Sequence, residues 1–384
     1  MFYLYLAVLT NALIYILYIH KFIKGLSKLP NEQIFTVDDR QLPSVTIIVP
    51  ARNEENYIER TIISLLYQDY PNDKFHIIAI DDRSKDRTGE ILDSLKVNSS
   101  NVEVIHITEV PLNVAPKKNA ILTAVKKCNT DYIITTDGDC LHHKLWLRSM
   151  VNPVVGSEKK NIGIVAGMTI FVKDKYSSEW ERTWQSMQNI DYISHSLLAA
   201  GAIGCNKGFT ANGSNLLIKK ELYSDTTGLK SNVISGDDFF IIQQAEKEGY
   251  KIRFALNDES VVHSYPVNTI EGLVDQRARW ASKTTSSSKF VFIFALNTFI
   301  FYIGLSLLFI LAVINQVPFK AFFGFLALKI IPETIFLFYG FGRMGFELKN
   351  RYYILLQVFH IPFNLYAAIK GKFFGFKWKG ITYK

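Results

Sequence analysis

The chain has 384 residues, of which 48% are hydrophobic and 20% are charged, and 43 Lys and Arg against 35 Asp and Glu give a net charge of +8. Much of the net positive charge flanks the apolar ends of the chain, and no basic, aromatic-interleaved patch appears in the middle. This argues against a nucleic-acid partner and favours a surface that faces anionic lipid. The three cysteines form no Cys-x-x-Cys or Cys/His set, which argues against a disulfide framework and a zinc site.

The first predicted element is an apolar helix at the N-terminus. Residues 2–19 carry no charge and are just numerous enough to cross a bilayer as a helix. They lack a basic leader and a small-residue cleavage site, which favours a retained anchor over a removed signal peptide. Lys21, Lys24 and Lys28 follow, and they place the next residues on the cytoplasmic side. We therefore expect a transmembrane anchor over residues 1–28.

The middle of the chain alternates between strand-like and helical patterns. This order predicts an α/β domain over residues 40–285, with a mostly parallel sheet and helices on both faces. Ligands bind beyond the carboxyl ends of the strands in such sheets, and several predicted strands end on polar side chains, so we expect one site at that edge. The predicted strands cover residues 45–49, 75–80, 102–107 and 132–136, and the helical patterns cover residues 55–66, 88–95 and 117–127.

The chain becomes apolar again towards its C-terminus. Residues 290–314 carry no charge and predict a spanning helix. A further candidate span, residues 319–341, contains Lys329 and Glu333, which are four apart and can pair on one helix face. We interpret them as a self-neutralising pair that faces neighbouring helices, in preference to an ion pathway.

The last apolar segment, residues 352–369, is interrupted by polar residues and by Pro362. The segment after it, KGKFFGFKWKGITYK, is basic and aromatic, a composition typical of chain at a membrane surface. A full crossing would place those lysines outside, against the positive-inside bias. We therefore expect residues 286–384 to contain two spanning helices plus a re-entrant or interfacial segment, with a cytoplasmic C-terminus.

The stretch DYIITTDGDC ends a predicted strand on two acids, Asp137 and Asp139. One interpretation is an Asx turn that caps the next segment. The other is a divalent metal site, because carboxylates are hard oxygen ligands and Mg²⁺ or Mn²⁺ typically takes one or two of them together with substrate phosphates.

Two more pairs of charged residues open predicted helices. Lys117 and Lys118 are either solvated lysines or a site for an anion, since a cation at a helix start opposes the helix dipole. Asp237 and Asp238 begin a helical run, where acids cap the helix and interact favourably with its dipole.

The motif QRARW lies on a predicted helix that begins at about Thr269, just before the membrane. Gln276, Arg279 and Trp280 fall at i, i+3 and i+4 on one face, as a shared site requires. An interfacial helix, with Arg for lipid headgroups and Trp for the aromatic belt, is the alternative. Arg277 lies off that face, and we expect it to be a surface charge.

Taken together, these motifs resemble those of family 2 glycosyltransferases, inverting enzymes with a GT-A nucleotide-binding fold. The resemblance covers residues 44–280, and the flanking apolar segments are similar to those of the membrane-bound branch, whose members include ceramide glucosyltransferase-like and polysaccharide synthase-like enzymes. The motifs occur in the family's order: PARNEE (50–55), DDRSKDRT (81–88), PKKNAI (116–121), DGD (137–139), NGSNLLIKKEL (212–222), GDDFFI (236–241) and QRARW (276–280).

The resemblance implies a nucleotide-sugar donor site. One of Asp81 and Asp82 would accept a hydrogen bond from uracil, which makes the donor a UDP-sugar. Asp139 would ligate Mn²⁺ or Mg²⁺, and Asp137 would lie near the ribose and diphosphate. The implied donor-binding residues are Glu54, Asp81, Asp82, Lys117, Lys118, Asp137 and Asp139.

The resemblance also implies the acceptor side. Asp238 matches the family's general base, although many members have Glu-Asp where this chain has Asp-Asp. Gln276, Arg279 and Trp280 match the residues that meet the donor diphosphate and the acceptor in membrane-bound relatives.

The expected function is inverting transfer of a sugar from a UDP-sugar to a lipid or lipid-linked acceptor, at the cytoplasmic face of a membrane such as the bacterial inner membrane. The expected partners are the donor, the acceptor and membrane lipids, with no nucleic acid. The alternatives are a processive polysaccharide synthase that extends and translocates a glycan, and a catalytically inactive membrane scaffold.

Overall fold

The structure is a computed structural model that describes residues 1–30, 37–111, 114–155, 161–172, 178–223, 236–378 and 381–383. Its contacts divide the chain into two compact units, which are described separately. The helical unit comprises Met1–Lys28, Asp174–Phe209 and Pro266–Lys384, and the sheet unit comprises Leu29–Lys173 and Thr210–Tyr265.

The regular elements of the described residues follow the predicted alternation. The helices are α1 (Phe2–Lys28), α2 (Ile58–Leu66), α3 (Thr88–Val97), α4 (Pro116–Val125), α5 (Trp146–Val151), α6 (Glu179–Gly204), α7 (Asp237–Lys247), α8 (Ile270–Ala281), α9 (Lys289–Val313), α10 (Phe319–Arg343) and α11 (Asn350–Ile369). The strands are β1 (Val45–Ala51), β2 (Phe75–Asp82), β3 (Val102–Ile107), β4 (Tyr132–Thr135), β5 (Leu141–His142), β6 (Ile162–Ala166), β7 (Thr169–Phe171), β8 (Leu216–Lys219), β9 (Lys251–Phe254), β10 (Val262–Ser264), β11 (Phe376–Trp378) and β12 (Ile381–Tyr383).

The sheet unit is built on a seven-stranded sheet with the strand order β3-β2-β1-β4-β8-β6-β9. The pairs β1–β2, β2–β3, β1–β4 and β6–β9 are parallel, and β8 runs antiparallel to β4 and β6. The four predicted strands are confirmed as β1 to β4, and the predicted mostly parallel sheet with flanking helices is confirmed. Because β2, β1 and β4 are parallel neighbours, their carboxyl ends meet at one edge, as predicted.

Burial on both faces explains why these strands form the centre of the sheet. Alternate residues of β1 point to opposite faces, yet Val45, Ile47 and Ile48 are all fully buried. Strands covered by helices on both faces are continuous Val and Ile runs of this kind.

A second, three-stranded sheet of the same unit has the order β5-β10-β7. β10 pairs antiparallel with β5, where Val262 lies opposite His142. Because β5 follows the Asp137–Asp139 loop within two residues, this pairing brings the end of β10 to that loop.

Among its described residues, the helical unit contains four helices that are long and apolar enough to cross a membrane: Phe2–Lys28, Lys289–Val313, Phe319–Arg343 and Asn350–Phe374. These helices fit association with a membrane. The predicted pair is confirmed within α10, where Lys329 Nζ lies 2.8 Å from Glu333 Oε2 and the lysine is fully buried.

Close helix contacts in this unit depend on glycine. A Cβ atom at Gly25 of α1 would lie 1.7 Å from the carbonyl oxygen of Gly201 on α6, so the two backbones touch there. Such approach is available only to residues without a side chain.

The last apolar segment forms a continuous helix through Pro362 and ends in a π-helical turn over Lys370–Phe374. By length and composition this helix is able to cross a membrane. The predicted re-entrant or interfacial arrangement, the predicted domain boundaries and the membrane orientation stay predictions.

Candidate active site

The Asp137-Gly138-Asp139 loop is fixed against neighbouring elements of the sheet unit. A Cβ atom at Gly138 would lie 3.2 Å from Ala51 Cβ and 3.3 Å from Glu54 Cγ, which leaves little room for any residue but glycine. The hydroxyl of Thr61 on α2 donates to the Gly138 carbonyl at 2.9 Å. The loop is therefore held beside the end of β1 and the start of α2.

The two acids of this loop have different partners. Asp137 Oδ1 lies 2.5 Å from Lys117 Nζ, and this pairing brings the first lysine of α4 to the loop. Asp139 Oδ2 accepts a hydrogen bond of 3.0 Å from the hydroxyl of Ser264 at the end of β10. Ser264 is 125 positions from Asp139, and it was not predicted as a site residue because a single serine in a short strand has no recognisable sequence pattern.

These residues fit a divalent cation. Within the described residues, no group of three or more His, Cys, Asp or Glu side chains is arranged to hold a metal ion. A cation that completes its ligand shell with substrate phosphates needs only one or two carboxylates. Asp139 is half-buried and oriented by Ser264, which is the arrangement expected of a carboxylate ligand supported by a hydrogen-bond donor.

Asp81 and Asp82 end β2 at the same edge of the sheet. Asp82 is 5% exposed and pairs with Arg83 Nε at 2.8 Å. Asp81 accepts a hydrogen bond from the backbone N–H of Ser84 at 3.0 Å, and its other oxygen lies 3.1 Å from His106 Nδ1. Both carboxylates are thus held in place at the end of β2, where a nucleotide base is predicted to bind.

The loop that carries Glu54 is hydrogen-bonded to the loop after β2. The Glu54 backbone N–H donates to Thr88 Oγ1 at 2.8 Å, and the Asn53 side chain accepts from the backbone N–H of Lys85 at 2.9 Å. Asn53 and Arg83 both have left-handed backbones, with φ of 54° and 56°. Two motifs that are separate in sequence therefore form one structure at the sheet edge.

Lys118 is buried, so the interpretation of this residue as a solvated lysine is wrong. It is 1% exposed, and its Nζ lies 4.5 Å from the ring centroid of Phe240 on α7. Lys118 thereby ties the start of α4 to the first turns of α7, two residues from Asp238.

Asp238 is the second residue of α7, and it is half-buried. The residue that caps this helix is Gly236, which has a left-handed backbone with φ of 100° and supplies no side-chain hydrogen bond. Asp238 is therefore not the cap of this helix, and its predicted role as the general base stays a prediction.

Helix α8 of the helical unit begins as predicted, with the Thr269 side chain accepting from the backbone N–H of Gly272 at 3.1 Å. The Trp280 ring stacks on the ring of Tyr192 at 5.7 Å. The predicted surface charge at Arg277 is wrong. Arg277 is 4% exposed and donates to Asp191 on α6, because α6 covers the helix face that the sequence left unassigned. The roles predicted for Gln276, Arg279 and Trp280 stay predictions.

Three curated relatives share about two thirds of this chain at low identity. Glycosyltransferase AglE of Haloferax volcanii is 25% identical over 240 residues, 62% of this chain and 72% of its own length. Probable glycosyltransferase YdaM of Bacillus subtilis is 27% identical over 63% of this chain. Poly-beta-1,6-N-acetyl-D-glucosamine synthase of Staphylococcus aureus is 26% identical over 63% of this chain. The chain spans just over half the length of the last two, 55% and 54%.

Among the solved structures that are similar to this chain is a glycosyltransferase that covers most of it. It is a mannosyltransferase, PcManGT from Pyrobaculum calidifontis, in complex with GDP-Man and Mn²⁺. The TM-score is 0.57 at 18% sequence identity, and the alignment covers 96% of this chain and 98% of that one. This likeness shows the fold, and it confirms the predicted GT-A architecture.

Two family models match the sequence. The model described as glycosyl transferase family 2 matches residues 46–215, and the model described as glycosyl transferase family group 2 matches residues 132–341, more than half of the chain. The chain therefore belongs to glycosyl transferase family group 2 and is a glycosyltransferase.

Proposed function

We propose that this glycosyltransferase moves a sugar from a UDP-sugar to a lipid or lipid-linked acceptor with inversion at the anomeric carbon, at the cytoplasmic face of a membrane. The observation that carries the proposal is the arrangement of Asp137 and Asp139 at the carboxyl edge of the sheet. One pairs with Lys117 and the other is oriented by Ser264. Carboxylates of this kind suit a nucleoside diphosphate that is bound with a divalent cation.

The reaction is a single in-line displacement. Asp238 accepts the proton of the acceptor hydroxyl while that oxygen forms its bond to the anomeric carbon, and the bond from that carbon to the UDP oxygen breaks. Lys117 places positive charge near the leaving diphosphate. Mn²⁺ or Mg²⁺, when bound at Asp139, supplies further charge that neutralises the diphosphate. Glu54, Asp81, Asp82 and Lys118 would hold the donor.

The helical unit supplies the remaining assignments. Gln276, Arg279 and Trp280 of α8 keep the roles that the resemblance implies, contacts with the diphosphate and the acceptor. The four apolar helices support a multi-pass membrane protein with a cytoplasmic catalytic domain, and membrane lipids are its surroundings.

The names of relatives support two kinds of acceptor. The name of a Methanococcus voltae relative, 23% identical over 58% of this chain, contains the lipid-linked sugar dolichyl N-acetyl-alpha-D-glucosaminyl phosphate. The Staphylococcus aureus relative is named as a polysaccharide synthase. We favour the lipid or lipid-linked acceptor because the described residues contain four helices able to cross a membrane, which we consider few for a synthase that translocates a glycan, and we keep the processive synthase as the second candidate. An inactive scaffold is disfavoured because the expected acids are present.

The test uses membranes that contain the full-length chain. They are incubated with Mn²⁺ and a panel of UDP-sugars, with GDP-mannose added to the panel because PcManGT holds GDP-Man. We expect metal-dependent release of UDP together with a labelled, lipid-soluble product. A polymeric product would favour the synthase, GDP release would overturn the donor assignment, and no transfer from any donor would overturn the proposal.

A further inference from the structure

A buried ion pair joins α6 to α8 in the helical unit. Asp191 is 6% exposed and Arg277 is 4% exposed. Asp191 Oδ2 accepts from Arg277 Nε at 2.9 Å and from Arg277 Nη2 at 2.5 Å. Burial alone would raise the pKa of Asp191, but the guanidinium outweighs it and lowers this pKa to about 2. Asp191 is therefore ionised at physiological pH.

A buried ion pair of this kind contributes little to the stability of a fold. Removing two charges from water costs free energy that their attraction often only balances, and apolar residues of similar volume are frequently as stable. A buried pair is better explained by the geometry that it imposes on its neighbours.

The Arg277 guanidinium also contacts two other residues of the QRARW motif, Gln276 and Trp280. Its Nη1 donates to Gln276 Oε1 at 2.7 Å, and its guanidinium carbon lies 4.2 Å from the centroid of the Trp280 ring. The planar fork of arginine allows one side chain to bind a carboxylate, donate to an amide and stack on an aromatic ring. A lysine has no such fork.

Helix α6 also holds Trp280 directly. Tyr192, the residue after Asp191, stacks on the Trp280 ring with an interplanar angle of 22°. His195, one turn further along α6, meets the same ring edge-on at 5.7 Å. The orientation of Trp280 is thus determined by three contacts that depend on one short stretch of α6.

On its other side Asp191 is connected to the apolar helices. Asp191 Oδ1 lies 3.8 Å from His360 Nε2 on α11, and His360 Nδ1 lies 3.3 Å from the Tyr302 hydroxyl on α9. That hydroxyl lies 3.5 Å from Glu333 on α10, the acid that pairs with Lys329. Polar groups inside apolar helices are costly unless they are partnered, and this chain of contacts partners each of them.

We propose that Arg277, held by Asp191, is a positioning residue that fixes the orientation of Gln276 and Trp280. The consequence for catalysis rests on the proposed function, in which those two side chains contact the diphosphate and the acceptor. Arg277 acts through them and touches no substrate.

The first test measures sugar transfer by the full-length protein in detergent. Arg277→Lys keeps the charge but loses the fork, so we expect kcat to fall by about 10- to 100-fold, the cost of misplacing reacting groups by an ångström or less. Because Arg277 acts through Gln276 and Trp280, adding Arg277→Lys to the Gln276→Ala/Trp280→Ala variant is expected to cause no further loss. A further loss on adding Arg277→Lys to that double variant would refute the inference, and so would full activity of the Gln276→Ala/Trp280→Ala variant.

The control breaks another ion pair of the same helix. Glu179 at the start of α6 lies 3.1 Å from Arg351, and both side chains are about two thirds exposed, at 65% and 66%. Glu179→Gln is expected to leave transfer unchanged. If Arg277→Lys fails to accumulate as folded protein, Asp191→Asn takes its place, since it keeps the size of the side chain and one hydrogen-bonding oxygen.

The second test does not depend on activity. The five tryptophans are labelled with 5-fluorotryptophan, and the ¹⁹F signal of Trp280 is assigned with Trp280→Phe. We expect this signal to shift in Asp191→Asn and to stay in place in Glu179→Gln. An unmoved signal would overturn the inference. If the Trp280 signal shifts in Asp191→Asn but the wild-type protein transfers no sugar, the inference is supported and the proposed function is rejected.

Discussion

The proposed role of Asp238 as the general base can be tested by a single substitution. Asp238→Asn keeps the size of the side chain but removes the basic carboxylate. We expect sugar transfer to fall by about 10²- to 10⁴-fold, the usual contribution of a general base. UDP binding should persist, since the predicted donor contacts lie on other residues. Turnover and UDP affinity of the same purified variant check this.

Asp258→Asn is the matched control for that substitution. Asp258 is an exposed acid that also opens a helical turn in the sheet unit. The Asp258→Asn variant should transfer sugar at the wild-type rate. If Asp238→Asn did the same, the proton would have to leave through another group.

Ser264 and Asp139 form the second testable contact. Asp139→Ala should abolish transfer and Mn²⁺-dependent UDP binding. Ser264→Ala leaves the carboxylate in place but removes its donor at 3.0 Å, so we expect a loss of metal affinity of about 10- to 100-fold. Ser264→Thr keeps a hydroxyl and should recover most of it. UDP titrations at several Mn²⁺ concentrations measure this, and equal metal affinity in Ser264→Ala and wild type would speak against the metal assignment.

At the scale of single residues, the sequence revealed the acids but not their partners. Asp81, Asp137 and Asp139 each follow a strand, which marks them as candidates. Ser264 and Asp191 lie 125 and 86 positions from the groups they bind, and nothing local records such pairings. The error at Arg277 has the same cause, because helical periodicity assigns residues to faces without saying which face another helix covers.

At the scale of elements, the parallel strands were the easiest part to predict. β1 to β4 are buried runs of Val and Ile with helices between them, and their predicted bounds agree with the structure within two residues. The strands from β5 to β10 were not predicted. They have two to five residues each, too few to give a period of two that differs from chance.

The contact between α1 and α6 makes a prediction at this scale. Gly25→Ala places a methyl group 1.7 Å from the Gly201 carbonyl oxygen, so the helices must separate. We expect destabilisation of about 1–3 kcal/mol, the usual cost of overpacking. Gly324→Ala on α10 is the control, because no atom lies within 4 Å of its Cβ position. Thermal midpoints in detergent compare the two, and equal midpoints would show that the helices do not touch there.

The stability of the whole chain should depend on pH through His142. This ring is buried, and its nitrogens lie 2.8 Å from the Thr136 hydroxyl and 3.1 Å from that of Ser64. Burial, reinforced by His263, lowers the pKa of His142 to about 3. The His142 ring of the unfolded chain therefore becomes protonated below pH 6.5, whereas that of the folded chain stays neutral down to about pH 3.

The sign of the effect follows from that difference. The contribution of His142 to the free energy of unfolding is complete above pH 6.5 and falls by about 1.4 kcal/mol per pH unit below it. His142→Gln should be less stable at pH 7 but should lose less stability between pH 6.5 and pH 4. Denaturant midpoints across that range test this, and parallel curves for variant and wild type would reject it.

The orientation of the C-terminus is a property of the whole helical unit. Lys370 at the end of α11 lies 2.6 Å from Asp275 on α8, and a Cβ atom at Gly371 would lie 2.2 Å from the carbonyl oxygen of Ala278. The end of α11 is therefore fixed to α8. Only residues 282–288 separate α8 from α9, so we expect α11 to end on the side of the membrane at which α9 begins.

This connectivity supports a cytoplasmic C-terminus. We expect α9 and α10 to cross the membrane as a hairpin, which would return the chain to the side at which α9 starts, and we expect α11 to begin and end on that side. That side carries the lysines that follow α11, in agreement with the positive-inside bias. A cysteine added after Lys384 should stay unlabelled by an impermeant reagent on intact cells, whereas one replacing Asn315, in the connection between α9 and α10, should react. Labelling of the C-terminal cysteine without permeabilisation would mean that α11 crosses the membrane completely.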